Sequence, residues 1–111
     1  TLPLSAEMRE AVVLLAKRRG TVAIVDDGKR VLGVLTAGDL TRLMERGDDF
    51  LSVPVSRVMN ATPKTVRDDE LASAGAYRME QHGIMALPVI DARERLVGMI
   101  HLHDLMRAGI L

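Results

Sequence analysis

The sequence predicts a mixed α/β (α+β) fold of two β-α-β-β-α repeats, and three observations predict it. The chain matches itself at a nearly constant spacing, the mark of an internal duplication. Runs of β-branched apolar residues alternate with stretches whose apolar residues recur every three or four positions, so strands alternate with helices. Each repeat alone has too few apolar residues to bury a sheet face. The two are therefore expected to pack sheet to sheet about a pseudo-twofold axis, with the pair as the folding unit.

The duplication is read at two spacings. Residues 5–20 align with the second half at a spacing of 63, where Glu7/Glu70, Ala11/Ala74 and Gly20/Gly83 coincide. Beyond that the spacing becomes 65, and Asp26/Asp91, Arg30/Arg95, Gly33/Gly98, Asp39/Asp104, Leu40/Leu105 and Arg42/Arg107 are identical pairs. In the first repeat, Met8, Ala11, Val12 and Leu15 recur at helical spacing behind Ser5 as N-cap, with Gly20 as the stop. Residues 21–25 and 31–36 read as strands, and the Asp27-Gly28 pair between them is a hairpin signal. Leu40, Leu43 and Met44 begin a second helix that Gly47 closes. The second repeat gives a helix from about Asp69 to His82 with Leu71, Ala74 and Met79 inward, strands at 86–90 and 96–101, and a helix opening near Asp104 and ending at Gly109.

These elements divide the chain into a first repeat at 1–47, N-terminally truncated, a linker at 48–61 and a second repeat at 62–111. Within the linker, Val55 to Met59 suits one short amphipathic turn, and residues 64–66 an extended lead-in to the second repeat. Residues 55–63 find no counterpart ahead of the first repeat. The sequence is therefore read as a piece of a longer polypeptide.

Composition narrows the function. In 111 residues, 15 Lys+Arg balance 15 Asp+Glu, which argues against nucleic acid or an anionic membrane as partner. The absence of Cys excludes disulfides and Cys-ligated zinc. No apolar run approaches the roughly 20 residues needed to span a bilayer, and no signal-type stretch opens the chain, so a cytoplasmic globular module is expected. With no Trp, one Phe and one Tyr against seven Met, the core is expected to be aliphatic.

A few residues carry possible chemistry. Asp39 and Asp104 stand where a strand gives way to a helix, so each carboxylate is placed to cap helix amides and complement the dipole. The Thr36 hydroxyl, with helix N-terminal amides, offers a phosphate contact; Thr is equally a good strand residue. Gly38 lets a ligand approach the backbone. His101 and His103 share a face if their segment is extended, with Asp104 adjacent. His82 lies in another part of the repeat, so four ligands are not assembled and no metal is expected. His101 is read instead as a phosphate or sugar contact whose charge varies near neutral pH, and His103 as the same or as solvated. Lys17, Arg18 and Arg19 suit the C-terminal end of a helix dipole. With no Cys and no Ser on a recognisable elbow, no catalytic residue is expected.

A helix, a hairpin ending in Gly-x-x-Thr-x-x-Asp and a second helix, all given twice, resembles a tandem pair of cystathionine-β-synthase (CBS) domains over nearly the whole chain. Gly33-Val34-Leu35-Thr36-Ala37-Gly38-Asp39-Leu40 fits that family's signature, and Leu87-Pro88-Val89-Ile90-Asp91 is similar to its middle strand. The stretch from Gly98 to Leu105 keeps the Gly and the Asp, with His101 where Thr or Ser is usual. Residues 58–65 and 101–109 further resemble the C-terminal CBS pair of arabinose 5-phosphate isomerases.

The resemblance implies that Asp39 and Asp104 accept hydrogen bonds from ribose 2′- and 3′-hydroxyls. It also implies that Lys64, Thr65, Met85, Ala86, Leu87 and Pro88 line a cleft opposite Thr36, although Met85 and Leu87 read equally well as core. The implied ligand is AMP, ADP, ATP or a cytidine-linked sugar such as CMP-Kdo, with no cofactor required. The implied partners are an upstream sugar isomerase domain in the same chain, acting on D-arabinose 5-phosphate on the route to Kdo and lipopolysaccharide, and further copies in a homodimer or larger homo-oligomer. A purely structural oligomerisation module and a CBS pair of a different parent protein are the alternative readings.

Overall fold

The computed structural model describes residues 1–47 and 49–109. Asp48, expected to open the linker, and Ile110 and Leu111, expected to end the second repeat, lie outside the described residues. The chain divides into two units, Thr1–Pro63 and Lys64–Leu111. Among the described residues no helix is long and apolar enough to cross a membrane.

The first unit is a hairpin with a crossover. Strand β1 (Thr21–Val25) pairs antiparallel with β2 (Val31–Thr36), and Leu2 bridges Ile24 in parallel. A parallel neighbour is reached only by a crossover, and helix α1 (Met8–Lys17) supplies it. Its inward residues Met8, Ala11 and Leu15 join Leu2, Val22, Ile24, Leu35 and Val55 in one aliphatic core. Val55 comes from the short 3-10 turn Val55–Arg57, and helix α2 (Ala37–Glu45) follows β2 directly.

Several local expectations change here. The cap of α1 is Glu7, two residues beyond Ser5: Glu7 and Glu10 form a reciprocal capping box that satisfies two helix-start amides. Ser5 is exposed. In the hairpin turn, Asp26 Oδ1 accepts from the amides of Gly28 and Arg30, both at 2.9 Å, and the left-handed residue is Lys29 (φ 67°). Gly28 therefore does not supply the positive φ that the Asp-Gly pair suggests.

The far edge of β2 is occupied by Asn60, an antiparallel bridge to Val34 with hydrogen bonds of 3.0 and 2.9 Å. That crossing explains Gly33. A Cβ there would lie 2.6 Å from Met59 Sδ and 2.7 Å from the Asn60 carbonyl oxygen.

The second unit repeats the plan. Strand β3 (Val66–Arg67) runs parallel to β4 (Ala86–Ile90), which pairs antiparallel with β5 (Leu96–His101). Helix α3 (Ala72–His82) makes the crossover and α4 (Leu102–Arg107) follows β5. Val66, Ala76, Met79, Leu87 and Leu105 form its core. Helix α3 starts at Ala72, not Asp69, and Leu71, expected inward, is its N-cap and 77% exposed. The inward face is carried by Gly75, Ala76 and Met79. Met44 on α2 is likewise exposed, and α4 opens at Leu102, with Asp104 in its first turn.

The helices superpose at a spacing of 64, not 63. Arg19 (φ 59°) and Gly83 (φ 65°) are the matching left-handed residues, and Leu15 and Met79 each accept from the amide one residue beyond, Gly20 or Ile84. Gly20 also offers its carbonyl to the Ala37 amide; in the second unit Met85 does this for Leu102. One residue in the first unit thus does the work of Ile84 and Met85 in the second, which moves the spacing to 65 from there on.

These contacts set opposite expectations for two glycines. Gly33→Ala forces the Asn60 backbone away and should cost about 1–3 kcal/mol, as overpacking does. Gly28→Ala, at ordinary φ and with its Cβ in ordinary van der Waals contact with Asp26 Oδ1 at 3.5 Å, should stabilise by about 0.4–1 kcal/mol through the unfolded chain. Urea unfolding of the two variants checks both signs.

Candidate functional site

In both units the candidate site lies where the second hairpin strand becomes a helix. At the first, Thr36 caps α2 and its hydroxyl accepts from the Asp39 amide at 3.3 Å. Asp39 Oδ2 accepts in return from the Thr36 amide at 2.9 Å and the Thr36 hydroxyl at 3.1 Å. Arg42 Nη2 donates to Asp39 Oδ1. The carboxylate is thus enclosed, its side chain 16% exposed, while Arg42 is 70% exposed and holds it from the solvent side. Thr21 pairs with Thr36 across the hairpin, and the Ala37 amide is taken by Gly20.

The second junction keeps the frame and changes the chemistry. His101 is the N-cap of α4 and its side chain makes no cap bond. Arg107 Nη2 donates to Asp104 Oδ1 at 2.7 Å, and this carboxylate is more open, 45% exposed. Ala86 pairs with His101, and the Met85 carbonyl takes the Leu102 amide at 2.8 Å, so Met85, Ala86, His101 and Asp104 gather at one end of the sheet. Met85 is half exposed and Pro88 is fully buried. His103 stands in the helix, not in an extended segment, so it does not share a strand face with His101. Among the described residues no group of three or more His, Asp or Glu is placed to hold a metal ion.

Lys64 and Thr65 lie just ahead of β3. Lys64 is exposed, and the Thr65 carbonyl accepts from Arg78 Nη1 at 2.6 Å. Arg78 Nη2 also binds Glu70 Oε2 at 3.0 Å, and Glu70 Oε1 accepts from the Arg67 amide at 3.0 Å. This network ties the lead-in strand to α3 on both sides. Sequence reasoning missed it. The available signal was Arg78 itself, which at a spacing of 64 replaces Leu14, a partly buried residue of the first core. Arg42 and Arg107 were visible as an identical pair three residues after each Asp, yet their hold on the carboxylates was not drawn from it.

Residues 1–46 and 55–110 both match the CBS domain family. The chain belongs to that family. Its two matches make it a tandem CBS pair. Arabinose 5-phosphate isomerase KdsD of Pseudomonas aeruginosa is 40% identical over 95 residues, covering 86% of this pair and 29% of that protein. KdsD of Yersinia pestis is 33% identical over 112 residues, 100% of this pair and 34% of that protein. The pair therefore spans about a third of the length of these curated relatives. Among solved structures, the CBS domain protein PAE2072 of Pyrobaculum aerophilum, complexed with AMP, is similar at a TM-score of 0.85 and 31% identity over 94% of this pair and 80% of that chain. The CBS domain pair of MJ0100, in complex with 5′-methylthioadenosine and S-adenosyl-L-methionine, shares the fold at a TM-score of 0.84 and 22% identity, covering 97% of this pair and 90% of that one.

Two measurements test the local roles. Asp39→Ala opens the capping box and should cost about 0.5–2 kcal/mol in urea unfolding, whatever else Asp39 does. The Arg78 hydrogen bond, and after it the Arg67 amide, hold the Glu70 carboxyl below its ordinary value of 4.5. A carboxyl lowered in the folded state stabilises above its unfolded pKa and loses that contribution as pH falls through the folded one. Glu70→Gln should therefore destabilise the CBS pair at pH 7 and flatten its loss of stability below about pH 4.5, read from melting midpoints between pH 7 and pH 3.

Proposed function

We propose that this CBS pair is the nucleotide-sensing regulatory module of a cytoplasmic sugar-phosphate isomerase acting on arabinose 5-phosphate for Kdo and lipopolysaccharide synthesis. The observation that carries the ligand reading is the Thr36–Asp39 junction. A ribose diol donates two hydrogen bonds to one carboxylate, and the group it would replace on Asp39 Oδ1 is Arg42, which is largely solvated and free to turn away. The Ala37 and Asp39 amides are already taken, which leaves the Gly38 amide and the helix dipole to face a phosphate. The second site, with Met85, Ala86, His101, His103 and Asp104, binds more weakly or with a different base. Met85 stands in the place of Gly20 and covers an aromatic ring, and His101 replaces a hydroxyl with an ionisable ring. Lys64, Thr65 and Pro88 add backbone and charge beside it.

AMP in the PAE2072 structure supports an adenosine phosphate as the ligand. The likeness to KdsD supports the isomerase domain, upstream in the same chain, and makes CMP-Kdo the second ligand to test. Exposed Leu71, Tyr77 and Met106 support assembly into a homodimer or larger homo-oligomer. The nucleotide then inhibits or activates the isomerase through a coupling of about 1–3 kcal/mol, roughly 5- to 150-fold in affinity.

Melting this chain with an extrinsic dye and AMP, ADP, ATP, CMP or CMP-Kdo tests the reading. A ligand at about 100 times its Kd adds about 2.7 kcal/mol, which raises the midpoint of a domain near 100 residues by roughly ten degrees. The rise is expected with one nucleotide class and should vanish in Asp39→Asn. No rise with any ligand, together with a changed assembly state when the module is deleted from its parent, identifies a structural oligomerisation module instead.

A further inference from the structure

Strand β3 is two residues long, and side chains close its outer edge in place of a strand. Backbone groups alternate sides along a strand, and the Asp68 amide donates to the Ile90 carbonyl at 2.8 Å, so the Thr65 carbonyl and the Arg67 amide both face away from β4. Arg78 Nη1 donates to that carbonyl at 2.6 Å, and Glu70 Oε1 accepts from that amide at 3.0 Å. A 3.0 Å bond from Arg78 Nη2 to Glu70 Oε2 joins the two side chains, which are 32% and 28% exposed. The ion pair thus offers β3 the donor and the acceptor that a neighbouring strand would. At the helix spacing of 64 the first unit has Ala6 and Leu14 in these places, one buried and one packed on the core, and its parallel bridge at Leu2 forms with them. The fold therefore does not require the charged pair, and an ion pair this open contributes little to stability. Its effect is on geometry: it fixes the main chain at residue 65.

Residue 65 lies toward the end of the sheet that carries the second junction. Val66 is level with Val89 in the parallel pair, so Thr65 and Lys64 are level with Pro88 and Leu87, running toward the end of β4 where Ala86 pairs with His101. Strands lie about 4.8 Å apart, so β3 and β5, with β4 between them, stand about 10 Å apart, a gap that one nucleoside spans. We propose that Arg78, braced by Glu70, is a positioning residue of the second nucleotide site: it sets the Lys64–Thr65 main chain as the wall across the sheet end from His101 and Asp104. This inference rests on the nucleotide reading above and names what shapes one of its two sites. A wall already anchored does not have to be ordered when the ligand arrives, so affinity rises without a new contact to the ligand. The first site, with Leu14 in the place of Arg78, does not depend on it.

NMR titration of this chain with AMP, and separately with CMP, tests it, the Met85 methyl reporting the second site and the Gly38 amide the first. Arg78→Leu is expected to raise the Kd read at Met85 about tenfold and to leave the Kd read at Gly38 unchanged. Arg78→Lys, which keeps one donor for the Thr65 carbonyl, should recover most of the affinity. Both signals come from folded protein, so a loss of stability alone leaves these constants where they were. Glu70→Gln removes the charged brace and should raise the Met85 Kd about threefold; it takes the place of Arg78→Leu if that variant does not fold. An unchanged Kd at Met85 in Arg78→Leu overturns the inference and leaves the nucleotide reading standing, as does a shift at Gly38 with none at Met85. No shift at either position with either nucleotide overturns the nucleotide reading, and this inference falls with it.

Discussion

The fold depends on one constraint, that a parallel strand pair cannot be closed by a turn. Leu2 beside Ile24 and Val66 beside Val89 each oblige the chain to return through a helix, and the apolar face of that helix then covers the sheet. The hairpin strand that follows runs back antiparallel. Its last residue, Thr36 or His101, therefore arrives at the end from which the lead-in segment entered, and the next helix starts there. A carboxylate in the first turn of that helix sits at the same end in both units. The location of the candidate site is a consequence of topology before any ligand is considered.

The hairpins were legible to the residue. Residues 21–25, 31–36, 86–90 and 96–101 are short β-branched or aliphatic runs bounded by an Asp-started turn, and local sequence is sufficient to fix such runs. Helix starts were less legible because several residues compete for the cap. Ser5 is the better cap by type, yet Glu7 and Glu10 satisfy two amides together. Leu71 falls at helical spacing and by sequence reads as inward, whereas the small residues Gly75 and Ala76 let α3 lie close to its sheet. At Gly75 a Cβ would come within 2.7 Å of Ile100 Cδ1. The site followed the same division. Thr36 and Asp39 were readable from their three-residue spacing, but the Arg78–Glu70–Thr65 network joins Arg78 to residues 8 and 13 positions away through tertiary placement, which no local pattern encodes.

The copies have diverged where the frame tolerates it. The turn around Asp26 is kept at Asp91, down to a left-handed residue at Lys29 and Glu94 and two amides on one carboxylate oxygen. Asp91 is held below the ordinary carboxyl range by the Arg95 amide first, then by the Arg93 amide and the Arg95 guanidinium. The differences gather at the junctions: Thr36 against His101, Gly20 against Met85, and Leu14 against Arg78. The first junction is closed and neutral at its cap; the second has a more exposed carboxylate and larger side chains.

That contrast bears on how a signal would leave the first site. Asp39 Oδ2 is committed to the start of α2 through Thr36, whereas Oδ1 is held, among the described residues, by a solvated arginine. A diol that displaces Arg42 competes with an exposed ion pair, whose worth is about 0–1 kcal/mol, and leaves the stronger capping bonds in place. Binding by that route keeps the helix start intact and releases Arg42 from the surface of α2. The released guanidinium, not a rearranged core, is then the element whose position reports occupancy. At the second junction Arg107 is 78% exposed against 70% for Arg42, so the same exchange is open there, with His101 in place of the hydroxyl cap.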